Sequence, residues 1–327
     1  MPEITYRQLG ESGLLVSTIG LGCNNFGRAK TATETQEGTN GVITAAIDAG
    51  ITLFDTADIY GAERGLSEML MGNALKGRRH EIVLATKFGL SMEGANGPDW
   101  GVRASRRYVR LAVEASLRRL QTDWIDLYQL HTPDPFTPIG ETLDVLDDLV
   151  HEGKVRYIGH SNLSGWQIAE AEFTARAAGS TRFVSAQNEY NLLRRGVEDE
   201  VLPAVNAYGL GFLPFFPLYN GLFTGKFSRP TEGHVNGPAD SRIAQLRPHL
   251  AEGAPWDTIE RYEVFCAERS VGMLEATFAW LLAQPGLTSV IAGATKPEQI
   301  QQNVAAASAW KPSEADIAEI SSIFAPN

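Results

Sequence analysis

The stretch Ile51 to Gly61, ITLFDTADIYG, runs an apolar segment into a carboxylate and then a phenol. Ile51, Thr52, Leu53 and Phe54 suit a buried strand, the run ends on Asp55, and a polar turn carries the chain to Tyr60 and Gly61. The arrangement recurs: IVLAT ends on Lys87, IDLYQL on His131, VRYIG on His160, Ser161 and Asn162, and RFVSA on Gln187 and Asn188. Each apolar run delivers polar residues at its C-terminal end. When parallel strands close into a barrel, those ends share one face, and that is the face on which such barrels carry their chemistry. Asp55, Tyr60, Lys87 and His131 are therefore expected to converge, although they lie far apart in the chain.

Outward from this stretch, strands and helices alternate. Ile4 to Leu9 and Leu14 to Val16 flank Gly10-Glu11-Ser12-Gly13, which reads as a hairpin ahead of the main fold and could plug the bottom of a barrel. Thr18 to Leu21 reads as the first strand, leading to Gly22, Cys23, Asn24 and Asn25. Further strands are expected at Ile82–Thr86, Phe183–Ala186, Leu210–Pro214 and Thr288–Ile291. The spacing predicts helices ending at Ala49 and spanning Glu63–Leu75, Ala104–Leu120, Ile139–Val150, Gly165–Ala178 and Glu198–Tyr208. Thr224 to Pro255 is a Gly/Pro-rich insertion with a short helix, and Trp256 to Ala283 is helical with a break near Val271-Gly272. Helices from Pro297 to Ala307 and Ser313 to Ile320 complete the pattern. The count is about eight strand–helix units, as a closed (β/α)8 TIM barrel requires, so residues 1–327 are read as a single α/β domain. An open doubly wound sheet is the rival; it would normally place a glycine-rich phosphate loop after its first strand, and GLGCNNFG is not GxGxxG.

Of the 327 residues, 43% are hydrophobic and 20% charged, a balance that fits a soluble globular protein with a large core. The 28 Lys and Arg against 39 Asp and Glu leave a net charge of −11, which argues against nucleic acid or an anionic membrane as main partner. An anionic ligand would need a locally basic pocket, for which Lys226, Arg242 and Lys296 are candidates. Arg106, Arg107, Arg110, Arg118 and Arg119 interleave with apolar positions of one helix and read as a solvated or salt-bridged face. Cys23 and Cys266 show no metal-ligand spacing, and the N-terminus shows no secretory pattern, so a cytoplasmic protein is expected. No apolar run approaches the ~20 residues of a membrane span.

The hairpin, GLGCNNFG, FDTADIYG, LATKFG, ASLRRLQTDWIDLYQLH, YIGHSN, AQNEYN, PLYNGLFTGK and VIAGATKPEQIQQN, in this order and nearly end to end, resemble the aldo-keto reductases. The resemblance implies a barrel that uses NADPH, or less often NADH, to reduce small-molecule aldehydes and ketones to alcohols. Such chemistry needs a hydride delivered to carbon and a proton delivered to oxygen as charge develops there. Tyr60 is the expected acid, with Lys87 lowering its pKa from the usual value of about 10. Asp55 would hold Lys87 charged, and His131 would donate a hydrogen bond to the substrate oxygen. A structural ion pair, a capping ring and a structural histidine are the plainer readings of these four. His160 is read as structural.

The resemblance further implies that Ser161, Asn162 and Gln187 hydrogen-bond the nicotinamide carboxamide, and that Gly22, Cys23 and Asn24 lie beside that half of the cofactor. Phe215 matches an aromatic that stacks on the nicotinamide, although core packing could equally want it. Phe216 stands where relatives commonly carry a small polar residue, which leaves the pyrophosphate to the backbone near Leu218 and to Lys226. Arg242 matches an arginine lying against the adenosine end, or is a surface charge. Gly293, Thr295, Lys296, Gln299 and Asn303 surround the start of a helix, where backbone donors and Lys296 suit a 2′-phosphate and hence NADPH. Gln299 and Gln302 depart from the Arg and Glu that relatives often carry there. The Ser91–Gly101 loop, with Phe26, Trp100, Phe136 and Tyr219, suggests an aromatic-lined substrate site. A second class of function is a nicotinamide-binding sensor or regulatory subunit, similar to the potassium-channel β subunits of the same fold. A metal-dependent hydrolase lacks a convergent set of His and carboxylate ligands.

Overall fold

Apolar runs buried on both faces belong in a parallel sheet wrapped by helices. The computed structural model describes residues 4–231 and 234–325. Strands β1 (Tyr6–Gln8) and β2 (Leu15–Ser17) pair antiparallel as the opening hairpin. Then come β3 (Ile19–Gly22), β4 (Leu53–Asp55), β5 (Val83–Phe88), β6 (Ile125–Leu130), β7 (Val155–Ser161), β8 (Ser185–Gln187) and β9 (Gly211–Phe212). A separate antiparallel ribbon, β10 (Ser228–Thr231) with β11 (His234–Asn236), precedes β12 (Val290–Gly293). The main sheet has eight parallel strands in the order β12-β3-β4-β5-β6-β7-β8-β9. A parallel bridge from Phe212 to Leu287 and a bond from Thr288 N to Phe212 O (2.9 Å) join its two ends, so the sheet is a (β/α)8 barrel preceded by a hairpin.

Helices α1 (Gln36–Asp48), α2 (Leu66–Ala74), α3 (Arg106–Leu120), α4 (Ile139–His151), α5 (Gly165–Ala178) and α6 (Val201–Ala207) follow β3 to β8 in turn. After β9 come α7 (Arg242–Leu246), α8 (His249–Glu252), α9 (Trp256–Glu268) and α10 (Met273–Leu282), and after β12 come α11 (Pro297–Ala309) and α12 (Glu314–Ile323). The break expected near Val271-Gly272 falls between α9 and α10, where Ser270 takes a left-handed backbone (φ 52°). Helix α2 starts later than Glu63, because Gly65 at φ 85° occupies its N-cap. The Thr224–Pro255 insertion is richer than its composition suggests, with a ribbon and two short helices where one helix was expected. The α3 arginines are largely salt-bridged: Arg106 and Arg110 meet Asp144, Asp148 and Glu152 of the α4 segment, and Arg119 meets Glu68. Among the described residues no helix is long and apolar enough to cross a membrane.

The core has two parts. Most buried side chains lie between strands and helices, while Leu9, Val16, Leu53, Ala85, Leu127, Leu213 and Ile291 form a separate cluster inside the barrel. Leu9 and Val16 come from the hairpin, which therefore closes one end of the barrel with apolar side chains. Gly10 makes the approach possible: at φ 59° it lies so close to β9 that a Cβ would stand 2.4 Å from the Gly209 carbonyl oxygen. With that end closed, the opposite mouth is left for chemistry. Leu9→Ala should cost about 2–5 kcal/mol by urea unfolding, whereas Leu15→Ala, 54% exposed on the same hairpin, should stay within about 0.5 kcal/mol. Equal effects would mean that the plug contributes no packing.

Candidate active site

Asp55 ends β4, Lys87 sits one residue from the end of β5, and His131 follows β6, so three adjacent parallel strands deliver these side chains to one mouth. Lys87 is fully buried, and its Nζ donates to Asp55 Oδ2 (2.7 Å) and to the Thr56 carbonyl (2.8 Å). An ammonium has three donors. The remaining direction is toward Tyr60, whose ring centroid lies 5.3 Å from Nζ. Tyr60 in turn meets the His131 ring edge-on, with centroids 5.9 Å apart. The four side chains thus form one contiguous group.

Asp55 is held from its other side as well. Its Oδ1 accepts from Gln187 Nε2 (2.9 Å) and Gln129 Nε2 (3.2 Å). Gln129 is absent from the sequence reading; the signal was a polar residue two positions before His131 in IDLYQLH, on the same face of the strand. Burial alone would lower the pKa of Lys87, but the Asp55 carboxylate and the Tyr60 phenol more than reverse this, and the lysine stays an ammonium. Tyr60 departs from expectation: burial outweighs the pull of Lys87, and its pKa stands above the ordinary phenol value. His131 is pushed down to about 3 by burial and then by Lys87, so its ring is neutral, and its Nδ1 has no partner among the described residues.

This group opens into a cleft of about 980 Å³. Arg28, Arg64, Lys226, Arg242 and Lys296 line it against the carboxylates of Asp55, Asp240 and Glu298, a cationic balance in a chain of net charge −11. Every residue expected to hold a cofactor also lines it: Gly22, Cys23, Asn24, Ser161, Asn162, Gln187, Phe215, Leu218, Lys226, Arg242, Gly293, Thr295, Lys296, Gln299 and Asn303. Asn162, at φ 61°, donates from Nδ2 to the His131 carbonyl (2.9 Å) and to Ser161 Oγ (3.0 Å), which leaves its Oδ1 for a ligand. Gln187 likewise uses Nε2 on Asp55. Gly293 keeps the wall thin, since a Cβ there would stand 2.9 Å from Asn25 Nδ2. The volume and the cationic donors of its lining fit an anionic dinucleotide.

Three placements differ from the sequence reading. Arg242 reaches Asn24 Oδ1 (3.3 Å), at the end expected to hold the nicotinamide half rather than the adenosine. Lys296 pairs with Asp240 of the insertion (2.9 Å), so its charge is not free. Gln299 Oε1 accepts from the amides of Thr295 (2.7 Å) and Lys296 (3.2 Å), occupying donors that were expected to face a phosphate. The four aromatics expected around the substrate do not line the cleft: Phe26 is in the core, Trp100 and Phe136 are over 70% exposed, and Tyr219 packs against the core. Ile59, Phe216 and Phe227 supply apolar wall instead. His160 is buried away from the cleft against Phe183.

Behind the Tyr60 loop lies a polar layer that the sequence did not signal. Asn96 donates to Asp58 Oδ2 (2.8 Å), Arg119 bonds Asn96 Oδ1 (2.9 Å) and Glu68 Oε2 (2.7 Å), and Thr86 donates to Glu68 Oε1 (2.6 Å). Asp58 Oδ1 is buried without a partner among the described residues.

A sequence model of the family described as Aldo/keto reductase family matches residues 18–325. The chain is 37% identical over 308 residues to "Uncharacterized oxidoreductase YrpG" of Bacillus subtilis (strain 168), covering 92% of this chain and 90% of that protein. It is 36% identical over 323 residues to "Probable aldo-keto reductase 1" of Glycine max, covering 97% and 88%. It is 34% identical over 311 residues to "Probable voltage-gated potassium channel subunit beta" of Oryza sativa subsp. japonica, covering 92% and 90%.

Burial, and then the charge of Glu68, push the Asp58 carboxyl up to about 8. Unfolded, it ionises near ~3.9. Because the folded value is the higher one, the native state keeps a proton that the unfolded chain has lost, and stability drains away as pH rises from about 4 to about 8. Asp58→Asn lacks this term. Its urea midpoint should therefore gain on wild type between pH 5 and pH 8.5; a pH-independent difference would show Asp58 ionised in the fold.

Proposed function

The chain belongs to the aldo/keto reductase family, and from that premise we propose that it reduces aldehydes and ketones to alcohols with NADPH, NADH being the poorer donor. The observation that carries this reading is the meeting of Tyr60, Lys87, Asp55 and His131 at the open barrel mouth beside a cation-rich cleft. When bound, the nicotinamide supplies the hydride. Asn162 Oδ1, Gln187 Oε1 and Ser161 would hold its carboxamide with Phe215 against the ring, Leu218 and Lys226 would serve the pyrophosphate, and Lys296 the 2′-phosphate.

The protein's own part is proton supply. Neutral His131 donates a ring N–H to the carbonyl oxygen and orients it. Tyr60 then passes its O–H proton to that oxygen as negative charge gathers there, and Lys87 disperses the charge left on the phenolate. Asp55 holds the ammonium in line, itself fixed by Gln129 and Gln187. The raised pKa of Tyr60 keeps the proton on the phenol throughout the neutral range, so the developing alkoxide, not bulk pH, draws it off. In the reverse direction the phenolate takes the alcohol proton. Both cysteines are buried and free, which suits the reducing cytoplasm we assign to it. Similarity to a probable channel β subunit favours a second reading, a nicotinamide-binding regulator that retains its nucleotide and turns over little.

Tyr60→Phe should lower kcat for aldehyde reduction by about 10²–10⁴-fold, followed by NADPH absorbance, while NADPH still binds. Wild-type reduction should fall only as pH rises through the raised phenol pKa, with no imidazole step near neutrality. Undiminished turnover in Tyr60→Phe would remove the proton donor from this scheme. Lys296→Ala should weaken NADPH binding by about 1–3 kcal/mol and leave NADH nearly unchanged. Equal loss for both nucleotides would show that Lys296 does not read the 2′-phosphate.

A further inference from the structure

Arg28 and Arg242 line the cleft that holds the reaction centre, with Arg247 close to Arg242, and the side-chain bonds of Arg28 and Arg242 go to neutral groups. Arg28 Nη1 donates to Asn25 Oδ1 (2.6 Å), and Arg242 Nη1 approaches Asn24 Oδ1 (3.3 Å) and the same Asn25 oxygen (3.5 Å). Two guanidiniums thus bracket one amide oxygen. Arg242 and Arg247 both lie over the Phe216 ring, at 5.2 and 5.4 Å. The Nε atoms of Arg28 and Arg242 are buried with no acceptor among the described residues. Burial, then the charges of Arg28 and Arg247, push the Arg242 pKa down to about 10 against the opposing pull of the Tyr60 phenol. Buried donors without acceptors and like charges side by side are costly, and an incoming oxyanion relieves both.

The position of Arg28 says which ligand would bring that anion. Lys226 and Lys296 sit on the insertion and at the start of α11, whereas Arg28 stands on the loop after β3. That loop is braced: Arg28 N donates to Asn25 O (3.1 Å), Thr31 Oγ1 to the Arg28 carbonyl (2.8 Å), and Gly27 N to Thr33 O (2.8 Å). It is also tied to the loop of the candidate acid, because Ala62 N, two residues beyond Tyr60, donates to Gly27 O (3.1 Å). A guanidinium so mounted is pre-set rather than free to swing away, and its planar fork matches a carboxylate or a phosphate.

We propose that Arg28, backed by Arg242, is an anion subsite on the substrate side of the cleft, so that the preferred carbonyl compounds carry an oxyanion, carboxylate or phosphate, away from the reacting carbon. This inference rests on the reductase reading above. It accounts for an arginine in the cleft that no expected cofactor contact uses.

The test uses the full chain with NADPH and matched pairs: succinic semialdehyde against its methyl ester, and glyceraldehyde 3-phosphate against glyceraldehyde. In wild type one charged member should exceed its neutral partner in kcat/KM by roughly 10- to 100-fold, mainly through KM, and which pair shows the effect tells carboxylate from phosphate. Arg28→Met should bring that ratio toward one, and Arg28→Lys should keep part of it. Calorimetry of 4-hydroxybutyrate and of glycerol 3-phosphate on the protein–NADP⁺ complex should show the same Arg28 dependence for the matching anion without turnover. Turnover of neutral aldehydes with no preference for either charged partner would overturn the subsite while leaving the reductase reading intact. Arg28-dependent anion binding with no aldehyde turnover would do the reverse. A loss of NADP⁺ affinity in Arg28→Met as large as the loss of anion affinity would assign Arg28 to the cofactor and overturn the proposal.

Discussion

The buried pair between Lys87 and Asp55 is the constraint on which the rest of this site depends. A fully buried ammonium is tolerable only beside a carboxylate, and breaking such a pair by removing one partner typically costs about 3–5 kcal/mol. The barrel supplies what the pair needs. Parallel strands put Lys87 next to Asp55 across β4 and β5, the Thr56 carbonyl takes a second ammonium proton, and two glutamines from β6 and β8 satisfy the free carboxylate oxygen. Four of the eight strands therefore contribute to holding one charge. With the charge fixed, the phenol and the imidazole beside it acquire their protonation states: burial keeps the proton on Tyr60, and burial with the nearby ammonium keeps His131 neutral.

The same logic of local against global charge shapes the cleft. A chain with a net charge of −11 repels anions at long range, yet the barrel mouth collects cations from the loop after β3, the insertion and the start of α11. Some of these are neutralised within the protein, as Lys296 is by Asp240, and others have no carboxylate partner among the described residues, as Arg28 and Arg242. The Lys296–Asp240 pair joins α11 to the insertion across the cleft, so a phosphate that engages Lys296 must compete with Asp240.

Strand-end chemistry and the hairpin plug are two sides of one arrangement. Leu9 and Val16 fill one end of the barrel with hydrocarbon, which excludes water and leaves the other end as the place where polar strand ends can meet solvent and ligands. Behind the Tyr60 loop, the layer formed by Asp58, Asn96, Arg119, Glu68 and Thr86 connects that loop to α2, α3 and the strand carrying Lys87. It contains a carboxyl held protonated by burial and by Glu68, so the support of the loop is itself sensitive to pH.

Much of this was legible in the one-dimensional pattern. Apolar runs of strand length that end on Asp55, Lys87, His131 and Ser161, alternating with helical periodicity, dictate parallel strands and therefore a shared polar face, because direction and side-chain alternation are properties of the chain itself. What only the tertiary structure decided are the contacts between loops and the fields between distant groups. Gln129 on Asp55, two arginines on one Asn25 oxygen, Gln299 capping its own helix, Lys296 turned to Asp240, and Trp100 and Phe136 turned to solvent all follow from loop paths that no local period encodes. The sign of the Tyr60 shift belongs with them. Adjacency to a lysine was foreseeable from strand order, but the balance between that charge and the burial around it is set by packing in three dimensions.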